Sequence, residues 1–201
     1  MATMTPSHRP PVFNLPNQLT AARFVLALVL FGLIAAQLWV WCLALFIVAA
    51  FTDWLDGYLA RTQGLTSTLG RILDPLVDKV LMCGTYICLL PLGDREGWLL
   101  PWMVTVVVAR ELVITGLRSY LETLGARFGA DWLGKFKMGL QCAAVIAIFV
   151  ALLSPDWFKS LTVFFQQVRS GLVYAMVIVT LASGLQYLWK AAVLFKLRAA
   201  E

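Results

Sequence analysis

The chain has 201 residues, of which 61% are hydrophobic and 13% charged, with a formal net charge of +5. A soluble domain of this length does not carry so little charge, so the composition excludes one and places the chain in a bilayer. The basic residues are scattered between apolar runs rather than gathered on one face, which excludes nucleic acid as the partner and favours anionic lipid or a phosphorylated substrate.

Residues 1–16 have no apolar core followed by a small-residue cleavage site, so they read as a retained cytoplasmic tail rather than a signal peptide. A transmembrane helix needs about 20 mostly apolar residues. The uncharged run from Arg23 to Asp53 is too short for two spans and awkwardly long for one, with Gln37 near its middle. Helices expected at 17–37 and 39–61 must therefore extend past both charges. The runs Val80–Gly93 and Gly97–Ala109 are shorter still. A third helix, expected at 70–92, must carry Asp74, Asp78 and Lys79, and a fourth, at 97–118, must carry Arg110, Glu111 and Arg118.

The fifth and sixth spans, 136–153 and 171–195, are free of such charges apart from Lys137 and Lys190 near their ends. Segment 156–169, DWFKSLTVFFQQVR, is polar at its ends and is expected to form an interfacial turn or helix. Residues 196–201 form a second tail. The expected fold is thus an all-α integral membrane protein, one six-helix domain over 17–195 with a polar site at its cytoplasmic side. With both termini in the cytoplasm, only Arg95, Lys159 and Arg169 fall outside, as the positive-inside rule favours.

The single histidine, His8, lies in the Pro-rich tail, which excludes histidine-based zinc chemistry and a Ser-His-Asp triad. Cys42, Cys83, Cys88 and Cys142 sit inside apolar runs without a CxxC pair and read as packing residues. Catalysis is left to carboxylates, Lys and Arg. Charges inside a bilayer are costly unless paired, hydrated or bound to an ion, so each is a functional candidate.

Asp53 and Asp56 are spaced i, i+3, and Asp74 and Asp78 i, i+4, so each pair shares a helix face. Four carboxylates in proximity need cations, and oxygen-only ligands suit Mg²⁺, Mn²⁺ or Ca²⁺. Gly57 and Gly70 flank the acids and allow close approach to the backbone, although small residues also serve helix packing in membranes. Arg61, one turn after Gly57, either reaches a phosphate or anchors the helix end at the interface.

The stretch DWLDGYLARTQGLTSTLGRILDPLVDK, residues 53–79, resembles the signature of the CDP-alcohol phosphotransferases, DxxDGxxARx8Gx3Dx3D, with no position missing. The resemblance implies a six-helix, usually dimeric membrane fold with two divalent cations, Mg²⁺ or Mn²⁺. It further implies that Asp53, Asp56, Asp74 and Asp78 hold the metals and that Asp78 is the general base. Asp56, Gly57, Ala60, Arg61 and Gly70 are implied to line the CDP-lipid site. NLPNQLTAAR at 14–23, ARELVITGLR at 109–118 and GKFKMGLQ at 134–141 are similar to the branch that joins glycerol 3-phosphate to CDP-diacylglycerol in the bacterial inner membrane. Met138 departs from that pattern, which has threonine there.

Arg110, Arg118, Lys135 and Lys137 give a separate argument for a phosphate-bearing acceptor. If two metals match the aspartates, these cations lack anionic partners, and a phosphomonoester supplies them. Glu111, two turns before Arg118, is expected to orient it. The alternative is that the cations anchor lipid headgroups, most plausibly for Lys137 and Arg127. Other functions fit less well. A cation or proton transporter needs charges continuing across the bilayer, and an intramembrane prenyltransferase lacks the ARx8G link. A cardiolipin synthase or an inositol-phosphate transferase of the same family remains open.

Overall fold

The computed structural model describes the backbone of residues 15–63, 68–123, 132–153 and 159–198; within these, the side chains of 15–17, 53–63, 68–72, 74, 122, 159–160, 195 and 197–198 lie outside the description. Six helices make up the described residues: α1 Leu15–Ala35, α2 Trp39–Gln63, α3 Thr68–Glu96, α4 Pro101–Thr123, α5 Trp132–Leu153 and α6 Lys159–Arg198. The all-α expectation holds, and the chain is a multi-pass membrane protein. Of the two expected tails, residues 15–16 open α1 and 196–198 close α6, and the rest lies outside the described residues.

Four helices are apolar and long enough to cross a membrane by composition, within Gln18–Ala35, Pro75–Glu96, Trp132–Leu153 and Leu161–Leu194. The other two, α2 and α4, are interrupted by charge, yet their 25 and 23 residues span more than about 30 Å at 1.5 Å per residue. Charged ends on membrane-length helices were the expectation from the short uncharged runs.

The largest departure is α6. Segment 156–169 does not form a separate interfacial element over its described part, because α6 runs unbroken from Lys159 to Arg198, 40 residues. At about 60 Å it is roughly twice the hydrocarbon thickness, longer than one span needs. The polar ends of 156–169 suggested a break, but no Pro or Gly stands between Lys159 and Ser170 to make one.

Both described turns at the opposite end of the bundle close with the same hydrogen-bond pair. After α1, Leu38 N donates to Leu33 O and Gln37 N to Ile34 O, with Gln37 at φ 56°. After α3, Trp98 N donates to Gly93 O and Gly97 N to Asp94 O, with Gly97 at φ 76°. Each is a Schellman cap, which places one residue in the left-handed region. Glycine takes that conformation without strain and Gln37 does not.

Helix contacts run in a closed order, α1 to α2, α2 to α5, α5 to α6, α6 to α4, α4 to α3 and α3 back to α1, with α3 also touching α5. Their shared core includes Leu30, Phe46, Tyr86, Leu99, Ile148, Phe149 and Met176. Phe46 meets Phe149 edge to face, and the buried Tyr86 hydroxyl donates to Gln141 O at 2.9 Å. Cys42 and Cys83 are buried and Cys88 and Cys142 half-buried, all as free thiols, in keeping with a packing role.

Candidate active site

The helix ends carrying Asp78, Arg118 and Lys135 meet at one end of the bundle. There α2 and α3 continue as helix through both aspartate pairs. The i, i+3 and i, i+4 registers therefore do place the members of each pair one turn apart. The side chains of Asp53, Asp56, Arg61 and Asp74, and the surroundings of Gly57, Ala60 and Gly70, lie outside the described residues. Among the described residues, no three acidic, Cys or His side chains group together. The donor set offered by the four aspartates is oxygen-only, which fits hard divalent cations.

Asp78 is described, and its environment was not foreseen. Arg23 on α1 places Nη1 2.8 Å from Asp78 Oδ1, and Arg23 is only 1% exposed. It lies on the buried stripe that also carries Thr20, Ala27 and Leu30. This stripe is the face by which α1 packs against its neighbours, so the packing of α1 on α3 delivers a guanidinium to the proposed base. Removing Asp78, whose side chain is 23% exposed, would strand the buried Arg23 charge. In the sequence Arg23 bounds an apolar run and closes the NLPNQLTAAR stretch without a role attached to it, although the rule that intramembrane charges are functional applies to it equally.

The basic residues of α4 and α5 are brought together, but not as expected. Lys137, 5% exposed, forms a buried salt bridge to Glu111 Oε1, and Arg110 Nη1 lies 3.2 Å from the same oxygen. Glu111 thus pairs with Lys137 and Arg110, whereas Arg118 bonds elsewhere. The premise that these cations lack anionic partners is corrected for Arg110 and Lys137. Sequence spacing ties Glu111 to residues of its own helix, but the packing of α5 brings Lys137 to it from another.

α6 supplies residues that the sequence reading did not identify. Arg110 Nη2 donates to Ser183 Oγ at 3.1 Å, and Ser183 donates in turn to Thr180 O at 3.0 Å. Arg118 Nη2 donates to the Tyr187 hydroxyl at 3.1 Å. Both guanidiniums lie over the Tyr187 ring, at 5.8 Å for Arg110 and 5.7 Å for Arg118. Gly184 makes this possible, since a Cβ there would stand 3.1 Å from Arg110 Cγ. The signal present in the sequence is the SGLQY run, 183–187, whose small and aromatic residues resemble ordinary membrane packing. A small cleft lined by Ile114, Leu117, Arg118, Leu121 and Tyr187 opens beside the stack.

Lys135 is exposed, and Met138 lies on an exposed face, unlike the buried Lys137 beside it. Lys79 on α3 links the two groups of charges, being within electrostatic reach of Asp78, Glu111 and Arg118. The arrangement therefore sets a carboxylate on α3, held by a buried arginine, near a cation-rich cluster on α4–α6. Such a site can bind a phosphorylated ligand and receive a proton from it.

Comparison with known proteins places the chain in a family. The sequence profile described as CDP-alcohol phosphatidyltransferase matches residues 13–183. The chain is 36% identical over 155 residues to the CDP-diacylglycerol–glycerol-3-phosphate 3-phosphatidyltransferase of Bacillus subtilis (strain 168), covering 69% of this chain and 78% of the relative. It is 33% identical over 188 residues to the protein of the same name from Yersinia enterocolitica, covering 88% and 96%. A protein of that name from Pectobacterium atrosepticum is 34% identical over 151 residues, covering 72% and 79%. The chain belongs to the CDP-alcohol phosphatidyltransferase family and is, as that membership requires, a membrane-embedded transferase.

Proposed function

We propose that this chain transfers the phosphatidyl group of CDP-diacylglycerol to sn-glycerol 3-phosphate, giving phosphatidylglycerophosphate and CMP. The observation that carries the choice of acceptor is the cation cluster of the half-buried Arg110 and Arg118 with the buried Lys137, beside the helix that bears Asp78. A choline, serine or inositol acceptor has no phosphomonoester to occupy it. The names of the relatives support the same substrates.

Divalent-metal dependence is general in this family, and we assign two cations, Mg²⁺ or Mn²⁺, to Asp53, Asp56, Asp74 and Asp78. When bound, they neutralise the diphosphate and the charge developing on the leaving CMP. Asp56, Gly57, Ala60, Arg61 and Gly70 are assigned to the CDP-lipid. Arg118 and Lys135, with Arg110 and Lys137 behind them, are assigned to the acceptor phosphate. The acceptor hydroxyl attacks the lipid-side phosphorus, the bond from that phosphorus to the bridging oxygen breaks, CMP leaves, and the hydroxyl proton passes to Asp78. Arg23 holds that carboxylate in place.

The proposal includes the bacterial inner membrane as location, both termini in the cytoplasm, the site facing the cytoplasm, and a homodimer as the working form. The charge distribution supports the orientation. The direct test is CMP release by the purified protein from CDP-diacylglycerol with a panel of acceptors. Glycerol 3-phosphate should support turnover, and excess chelator should abolish it. Equal or faster release with free glycerol, phosphatidylglycerol or inositol phosphate would overturn the acceptor.

A further inference from the structure

The pairing of Glu111 has a chemical meaning that the acceptor assignment leaves unexplained. An acidic side chain at a site built to bind an anion would ordinarily weaken binding through like-charge repulsion. Yet Glu111 is 7% exposed and stands inside the cation cluster. Its Oε1 is shared by two cations from different helices, Lys137 of α5 and Arg110 of α4.

Lys137 is the most deeply buried of the cluster's cations, and its partner in the structure is Glu111. A buried ammonium without a counter-charge loses its proton or pulls away to water. Arg110 has other supports, Ser183 and the Tyr187 ring, but these fix its far edge, and the Nη1 edge is fixed by Glu111. Without the carboxylate, Arg110 Nη1 and Lys137 Nζ would face each other across the space it filled.

The charge count permits such a role. Arg110, Arg118, Lys135 and Lys137 against one Glu111 leave three positive charges. A phosphomonoester at neutral pH carries about −1.5 to −2. Lys79 also reaches Glu111 electrostatically, but it lies on α3 beside Asp78, which faces it, and its Nζ donates to Pro75 O at 3.2 Å.

We infer that Glu111 is a positioning residue for the acceptor: it supplies the counter-charge of Lys137 and fixes Lys137 and Arg110 at one spacing, without touching the substrate. This rests on the proposed acceptor and adds a residue and a role to it.

The test is Glu111→Gln, which preserves shape and hydrogen-bonding reach while removing the charge. With CDP-diacylglycerol saturating, the KM for glycerol 3-phosphate should rise about tenfold or more, while the KM for CDP-diacylglycerol and kcat stay within about threefold of wild type. Glu111→Asp retains the charge but sets it back by one methylene, so it should recover part of the affinity and leave that KM several-fold above wild type. Thermal stabilisation of the detergent-solubilised protein by glycerol 3-phosphate should shrink in E111Q and return in part in E111D. A residue serving only the fold would shift both KM values together, and that outcome overturns the inference. So does an unchanged or lowered KM for glycerol 3-phosphate, the latter making Glu111 a competitor of the phosphate. Should E111Q not be recovered folded, Glu111→Asp decides alone. Its carboxylate, set back by one methylene, cannot reach both cations as before, so a several-fold rise confined to the KM for glycerol 3-phosphate is expected and no change would refute it. If wild-type protein releases no CMP with glycerol 3-phosphate, the acceptor reading fails first and this inference with it. If wild type turns over normally, only the role of Glu111 is at stake.

Discussion

Two arginine-centred clusters stand at opposite ends of the helix bundle, and their difference separates structural charge from functional charge. At the end away from Asp78, Arg169 of α6 lies over the Trp98 ring at 4.5 Å and 3.4 Å from Glu96 Oε2, while Trp98 Nε1 donates to the same oxygen at 2.7 Å. One cation, one carboxylate and one aromatic ring satisfy each other there. At the site end, among the described residues, Arg110 and Lys137 share the Glu111 carboxylate while Arg110 and Arg118 share the Tyr187 ring. The clusters are about 27 Å apart along α6, from Arg169 to Tyr187, by the rise of 1.5 Å per residue. A charge-balanced cluster ties helices together, whereas an unbalanced one in a low-dielectric setting has affinity left for an anion.

The comparison is broken most severely through Asp78, the carboxylate facing the unbalanced end. Asp78→Asn keeps the shape and a hydrogen-bond acceptor for Arg23 but removes the proposed base. CMP release should fall by about 10²–10⁴-fold, the usual worth of general base catalysis. Retention of near wild-type turnover by the folded variant would remove Asp78 from that role.

Arg169→Ala should act in the opposite manner, on stability rather than on chemistry. It forfeits a cation–π contact worth about 0.5–2 kcal/mol and an ion pair whose acid is 42% exposed and so contributes at most about 1 kcal/mol. A loss of about 0.5–3 kcal/mol in unfolding free energy in detergent is expected, with both KM values unchanged. A changed KM for glycerol 3-phosphate would show that the far cluster is coupled to the site.

The smallest effects belong to the two Schellman caps at that same end. Gly97→Ala should cost about 1–2 kcal/mol, the penalty for an L-residue in the left-handed region. Gln37→Gly should stabilise by about 0.5–1 kcal/mol, since glycine relieves that penalty but gives back part of it as unfolded-chain entropy. Opposite signs in the unfolding midpoints confirm the caps, and equal signs refute them.

Much of this architecture was legible because bilayer thickness is a fixed ruler. The charges at Asp53 and Arg110 could not be excluded from helices without making the spans too short, and α2 and α4 do continue through them. The DxxDGxxAR motif was equally readable, since helical register alone sets its pairs on a face. What was not legible lies between helices. Nothing in the spacing of Glu111 announces Lys137, 26 residues on, because the pairing depends on α3 and α6, which each pack against both α4 and α5 and bring the two side chains within reach. Likewise, Arg23 reaches Asp78 only because α1 and α3 are neighbours, 55 residues apart in sequence. Ser183 and Tyr187 were hidden by their types, which suit lipid and helix packing as well as they suit an arginine. The continuity of α6 was missed because polar ends were weighed above the absence of any helix breaker.

The central claim, that the unbalanced cluster receives the acceptor's phosphate, is tested most directly by the KM for glycerol 3-phosphate in Arg118→Ala. Arg118 bonds the Tyr187 hydroxyl and lines the small cleft beside it. A charge-assisted contact to phosphate is worth about 1.5–3 kcal/mol, and 1.4 kcal/mol is tenfold. That KM should therefore rise at least about tenfold while the KM for CDP-diacylglycerol moves much less. An equal rise in both, or none in the first, would contradict the account and return these cations to the role of fold or headgroup contacts.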